Sequence, residues 1–215
     1  AEIARAAGQQ VMASVSLARA TREKGHAHNL VTDVDEAVEA FVVSRLTASF
    51  PTHAVVAEEG GSSQGGDITW FVDPLDGTNN YAHGVPIFSV SLAAVDASGP
   101  LAAATFDPTR DELFQASRGG GAFLNGRRLT VSSRSTLANA LVATGFPYDK
   151  ASNPDNNLAE FVAVTPHVRG IRRLGSAALD LAYVPAGRFE AYWERGTRAR
   201  DVPAGLLVLL EPGGE

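Results

Sequence analysis

The chain has 215 residues, 45% of them hydrophobic and 20% charged, with a net charge of −6, which suits one large domain or two intimate subdomains. It has no cysteine, which excludes disulfides, thiolate-bound zinc, iron–sulfur clusters and thiol nucleophiles. The acidic balance argues against a general nucleic-acid surface, which needs an excess of phosphate-neutralising cations, although a local basic site for a small phosphate stays open. We expect a cytoplasmic chain with neither nucleic acid nor membrane as partner. The N-terminal stretch lacks the apolar core of a signal peptide, and the late apolar run Val202 to Leu210 is too short to span a bilayer.

Ile3, Ala7, Val11, Val15 and Ala18 recur at steps of three and four, so residues 2–20 are expected to be helical. Lys24 to Asn29 reads as a loop. Thr32 with Asp35 reads as the start of a second helix, whose apolar face is Ala37, Val38, Phe41, Val42 and Leu46 and which Pro51 ends. A short strand, Ala54 to Ala57, leads into Glu58-Glu59, and Gly60 to Gly66 reads as a flexible loop. A strand over Trp70–Val72 and a possible helix from Thr78 follow. Strands at Phe88–Val95, Ala102–Phe106, Glu112–Ala116 and Ala122–Leu129 are separated by Gly, Pro and Asp turns and are expected to form an antiparallel meander. Later come strands at Ala140–Thr144 and Ile171–Leu174, a helix at Ser176–Pro185, a strand at Phe189–Glu194 and a helix at Val202–Leu210. This mixture predicts a layered α/β or α+β fold.

The chemistry concentrates where the Trp70-Phe71-Val72 run empties into Asp73-Pro74-Leu75-Asp76-Gly77-Thr78. A buried strand ending in clustered carboxylates needs protons, cationic side chains or metal ions to neutralise them. Between Lys24 and Arg110 the only Lys or Arg is Arg45, so a hard divalent cation with oxygen ligands is the better match. Glu58, Asp73, Asp76 and Asp201 are the candidate ligands. Two cations roughly 3.5–4 Å apart would form the clamp used in phosphoryl transfer. Gly77 allows close approach of the backbone to a ligand, and a helix beginning at Thr78 would point free N–H groups at a phosphate. Each feature alone has a plainer reading: a turn for Asp-Pro-x-Asp-Gly, a solvated strand end for Glu58-Glu59, an N-cap for Asp201. The five histidines show no metal-ligand spacing, and Gly119-Gly120-Gly121 lacks the Lys-Ser/Thr of a phosphate loop.

Together, Ala57-Glu58-Glu59-Gly60, Asp73 to Tyr81, Glu194 and Asp201 resemble the inositol monophosphatase family. Leu30 to Asp35, Gly145-Phe146-Pro147-Tyr148 and Arg173 to Ala178 extend the resemblance over essentially the whole chain. It implies an αβαβα sandwich, with most metal ligands in residues 1–138 and with residues 139–215 supplying Asp201 and the substrate pocket. It also implies two to three Mg²⁺ ions. Glu58, Asp73 and the Leu75 carbonyl would hold the first, and Asp73, Asp76 and Asp201 the second; Glu58 with water would hold a looser third. Thr78 and Glu58 would orient and help deprotonate the attacking water, with Asp35 behind Thr78. The N–H groups of Gly77 and Thr78 would cradle phosphate, Gly175, Ser176 and Ala177 would line the pocket, and Glu194 would accept hydrogen bonds from substrate hydroxyls. Lys24 matches a basic position in the family's first loop.

The implied activity is lithium-sensitive, Mg²⁺-dependent hydrolysis of myo-inositol monophosphate by a homodimer. The alternatives are the same chemistry on fructose 1,6-bisphosphate, NADP(H), a 3′-phosphoadenylate nucleotide or histidinol phosphate, or a weakly active metal-binding scaffold. Two departures stand out. Arg200 replaces the aromatic residue usual before the late aspartate, with Arg195 and Arg198 nearby. The chain also ends at Glu215, where relatives continue through a further strand and helical segment, so a shortened C-terminal part is expected.

Overall fold

Helical periodicity builds the first layer. In the computed structural model, which describes residues 1–22, 27–58, 62–63, 65–197 and 202–211, helices α1 (Glu2–Arg22) and α2 (Ala27–Ser49) open the chain. α1 buries Ala4, Ala7 and Val11, and α2 buries Val38, Val42 and Leu46, one stripe on each helix. The expected loop through Asn29 and helix start at Thr32 are corrected: α2 begins at Ala27. No glycine or proline interrupts residues 27–49, so once nucleated the helix propagates through Thr32.

The next elements are β1 (Ala54–Val56), β2 (Ser62–Ser63), β3 (Thr69–Asp76), α3 (Thr78–His83), β4 (Ser89–Asp96), β5 (Gly99–Asp107), β6 (Glu112–Ser117), β7 (Gly121–Leu124) and β8 (Arg127–Arg128). They form one sheet in the order β2-β1-β3-β4-β5-β6-β7-β8. β1 runs parallel to β3, and every other pair is antiparallel. Two expectations change here. The Gly60–Gly66 segment contributes β2, which pairs with β1. The single strand expected over Ala122–Leu129 is a hairpin, because Asn125 and Gly126 both take positive φ (48° and 80°) and reverse the chain.

The last elements are β9 (Leu141–Thr144), α4 (Leu158–Val164), β10 (Gly170–Arg172), α5 (Ala177–Tyr183), β11 (Ala191–Trp193) and α6 (Val202–Leu210). β9 lies between β10 and β11, parallel to both, with α4 and α5 as crossovers. α4 was not expected. It is 7 residues long, under two turns of any period, and its Leu158 and Val162 face solvent.

One core lies between α1, α2 and the large sheet, around Val72, Val90, Leu92 and Phe106. A second fills the space between that sheet's other face and α5, α6 and β9, around Phe114, Ala143, Leu179, Leu207 and Val208. At about 1.5–3 kcal/mol for each large apolar side chain removed from water, these two seams fix the layer order: helix pair, eight-stranded sheet, helix pair, three-stranded sheet. α4 is tied to the three-stranded sheet by Asn157. Its Nδ2 donates to Thr144 Oγ1 (2.8 Å) and the Gly145 carbonyl (2.6 Å), and its Oδ1 accepts from Trp193 Nε1 (2.7 Å). This is the layered α/β fold expected from the sequence. Among the described residues no helix is long and apolar enough to cross a membrane.

Candidate active site

The carboxyl ends of the five parallel strands open into one cleft of about 120 Å³. Glu58 follows β1, Asp76 ends β3, Thr144 and Gly145 lie at the end of β9, Arg173 follows β10 and Glu194 follows β11; all line the cleft. Side chains and loops beyond strand ends have no ladder partners, which makes this rim the usual place for ligands in parallel sheets.

Asp73 and Asp76 reach the cleft through an irregularity in β3. The stretch expected to be a turn beyond the strand is part of the strand. Asp73 pairs with Ser91 and Asp76 with Ser89, so three steps on β3 match two on β4. In a regular strand, residues three apart face opposite sides. The extra residue resets the alternation, and both aspartates line the same cleft. Pro74 sits within this bulge, where its missing N–H breaks no regular ladder bond. Asp73 is buried, and its Oδ1 accepts from the Leu75 N–H (3.1 Å). Gly77 then turns the chain into α3 at φ +97°, with Ile87 O so near that a Cβ would come within 2.9 Å of it.

Asp76 joins β3 to the start of α5. Its Oδ1 accepts from Ala177 N (3.2 Å), and its Oδ2 accepts from Ala178 N (2.9 Å) and the Ser176 hydroxyl. Gly175, Ser176 and Ala177 line the cleft. The roles differ in detail: Ser176 is fully buried, and its hydroxyl and the Ala177 N–H are turned to Asp76. Asn80 secures this segment from α3, donating through Nδ2 to the carbonyls of Ile87 (2.8 Å) and Leu174 (2.7 Å).

The Thr78 hydroxyl donates to the Leu75 carbonyl (2.9 Å). That bond uses the hydroxyl's one proton. Asp35 is buried in α2, and its charge bears on Tyr81 of α3. Burial, and then the Asp35 charge, push the Tyr81 phenol up to about 12. Asp201 and Lys24, with Arg198 and Arg200, lie outside the described residues. Arg195 forms ion pairs with Asp155 (3.2 Å) and Glu160 (2.7 Å), at the α4 end of the molecule.

Sequence reasoning missed Arg173 and Asp180, which also line the cleft. Asp180 had a signal: a lone acid inside the apolar run Ala177-Ala178-Leu179-Asp180-Leu181-Ala182. It is 2% exposed. Burial, then the charges of Asp76 and Glu194, raise its carboxyl to about 8 against the pull of Arg173 and the Leu174 N–H. Arg173 has no ion-pair partner among the described residues, and no local sequence signal placed it at the cleft.

Five carboxyl side chains, those of Glu58, Asp73, Asp76, Asp180 and Glu194, thus line the cleft against one described cation, Arg173. Such an excess of carboxylate in a partly enclosed space calls for bound cations or protons. The donors are all hard oxygens, the Leu75 carbonyl included, and fit a hard divalent ion. Among the described residues no three acidic or histidine side chains stand close enough to enclose an ion by themselves, so carbonyl oxygen, water or substrate must complete any ligand shell.

A model of the inositol monophosphatase family matches residues 1–215. The chain is 46% identical to a Nus factor SuhB of Pseudomonas aeruginosa, over 98% of this chain and 80% of that protein. It is also 46% identical to an inositol-1-monophosphatase of Rhizobium meliloti, over 86% of this chain and 70% of that one. The solved inositol monophosphatase of Anabaena superposes with a TM-score of 0.88 at 43% identity, covering 100% of this chain and 80% of that one. The chain belongs to the inositol monophosphatase family, whose members are metal-dependent phosphoric monoester hydrolases.

Proposed function

We propose that this chain hydrolyses myo-inositol monophosphate to inositol and inorganic phosphate with two to three Mg²⁺ ions. The observation that carries the reading is the charge of the cleft: among the described residues, five carboxyls face one guanidinium. A phosphate dianion enters such a place only alongside cations. Glu58, Asp73 and the Leu75 carbonyl would hold one ion, Asp73, Asp76 and Asp201 a second, and Glu58 with water a third. When bound, these ions supply charge neutralisation and a lowered water pKa.

The chain's own groups do the rest. The N–H groups of Gly77 and Thr78 receive phosphate oxygens at the start of α3. Glu58 and Thr78 orient the attacking water, and Glu58 takes its proton at a carboxylate oxygen. The water oxygen bonds to phosphorus as the bond to the inositol oxygen breaks in line, and that oxygen takes its proton from solvent. Glu194 accepts hydrogen bonds from ring hydroxyls, which favours a polyol. Lys24 is assigned a supporting role toward phosphate. We further read residues 1–138 and 139–215 as two subdomains meeting at the cleft, and the assembly as a homodimer, which sizing chromatography would test.

The decisive experiment is phosphate release over a panel of inositol monophosphate, fructose 1,6-bisphosphate, NADP(H), 3′-phosphoadenylate and histidinol phosphate. Mg²⁺-dependent, lithium-inhibited turnover with the highest kcat/KM on the inositol ester is expected. Equal rates across the panel would defeat the substrate assignment.

A further inference from the structure

Among the described residues, Tyr192 and Gly145 bear directly on the Glu194 carboxyl group. Tyr192 is the middle residue of β11, and Glu194 directly follows the strand. The Tyr192 hydroxyl donates to Glu194 Oε2. Across the cleft wall, Gly145 leaves the room in which the Glu194 carboxyl group rests: a Cβ built on Gly145 would overlap that carboxyl group's carbon and both its oxygens. Gly145 follows β9, the strand that pairs with β11. Its N–H donates to the Trp193 carbonyl (3.4 Å), and Thr144 Oγ1 donates to the same carbonyl (2.8 Å). The Glu194 backbone is therefore pinned to β9 while its carboxylate is pinned by Tyr192 over a glycine floor.

We propose that Tyr192 and Gly145 are the positioning residues that set polyol selectivity by holding the Glu194 carboxylate in one orientation in the cleft; this rests on the reading of Glu194 as the acceptor of substrate hydroxyls. A glutamate side chain has three rotatable bonds, and a carboxylate free to swing would bind a hydroxyl only after losing that freedom. The phenol removes the swing before substrate arrives. Its one proton also occupies a lone pair of Oε2, which fixes the direction in which the carboxylate's other lone pairs point. A carboxylate fixed this way accepts from hydroxyl donors of a neutral polyol and gives nothing to an alcohol portion that has none. Tyr192 does not touch the phosphate end, so its effect is confined to substrates that carry hydroxyls.

The test compares myo-inositol 1-phosphate with p-nitrophenyl phosphate, which has no hydroxyl for Glu194, in Mg²⁺ buffer. Tyr192→Phe keeps the ring and removes the donor. It is expected to raise KM for the inositol ester about tenfold, the scale of a lost hydrogen bond to a charged group. Its kcat for the inositol ester and both constants for p-nitrophenyl phosphate should change less than about twofold. Gly145→Ala is expected to shift the ratio of the two kcat/KM values in the same direction. Glu194→Gln serves as the reference. If it lowers the inositol preference while Tyr192→Phe and Gly145→Ala leave that preference intact, the positioning role is overturned and the Glu194 reading stands. If Glu194→Gln leaves the preference unchanged, the reading of Glu194 itself fails. A parallel fall on both substrates in Tyr192→Phe would mean a structural role and would also overturn the proposal.

Discussion

Asp76 caps the helix that begins at Ala177: its two carboxylate oxygens accept from the N–H groups of Ala177 and Ala178, at 3.2 and 2.9 Å, across 101 and 102 residues of chain. One side chain thereby ties the bulged strand β3 of the large sheet to the helix packed between the sheets. The negative carboxylate also complements the positive end of α5.

This double duty changes what Asp76→Asn should do. Read from sequence, the substitution removes a metal ligand and leaves the fold intact. In the folded chain it also turns an amide NH₂ toward backbone donors, leaving one of them without an acceptor. The expected loss is about 1–3 kcal/mol, and at about 2–4 °C per kcal/mol for a chain of this size the Tm falls by several degrees, alongside near-complete loss of turnover. Thermal melts of the metal-free variant check this; an unchanged Tm would show that the cap contributes nothing.

Asp180 predicts a pH dependence of stability. In the unfolded chain its carboxyl ionises near the usual value of about 3.9, whereas in the folded, metal-free chain it holds its proton up to about 8. Between those values the folded state binds the extra proton, so this group's contribution makes stability fall as pH rises through that window. Asp180→Asn removes the titration. Urea unfolding in chelator between about pH 5 and about pH 8 should give a flatter profile for Asp180→Asn than for the parent chain. Equal slopes would refute the assignment.

Thr78 tests the proposed water-orienting role. Thr78→Ala deletes the hydroxyl that donates to the Leu75 carbonyl at 2.9 Å. Turnover should fall by about 10²-fold with a smaller change in KM, and Thr78→Ser should recover most of it. A variant that changes KM alone would assign Thr78 to ground-state binding.

Asn80→Ala should loosen the cleft without touching a proposed ligand. Its Nδ2 serves the Ile87 and Leu174 carbonyls, and the second of these lies 94 residues away. Two acceptors lose their donor, a cost of about 1–3 kcal/mol. Denaturation midpoints measure it, and the m-value should stay constant.

The layers were legible wherever burial repeats at a local period. Val38, Val42 and Leu46 mark a helix face within a few residues, and Asn125-Gly126 carries the hairpin in its own dihedral preferences, although reading 122–129 as one strand passed over it. Asp73 and Asp76 announced themselves through their clustering. Their shared face did not, because it depends on a bulge defined only by pairing with Ser89 and Ser91.

By itself the sequence determined the kind of chemistry available: hard oxygen donors, no thiol, and a strand-to-helix turn at Gly77, all encoded within a few neighbouring residues. Only the tertiary structure decided the company these groups keep. Arg173 came to the cleft because parallel strands bring their carboxyl ends together, Asp180 because α5 borders the same cleft, and Tyr192 bears on it through Glu194. Asp76 became a helix cap because α5 packs where its carboxylate points. Such relations depend on pairings made across tens of residues, and side-chain type and local periodicity do not record them.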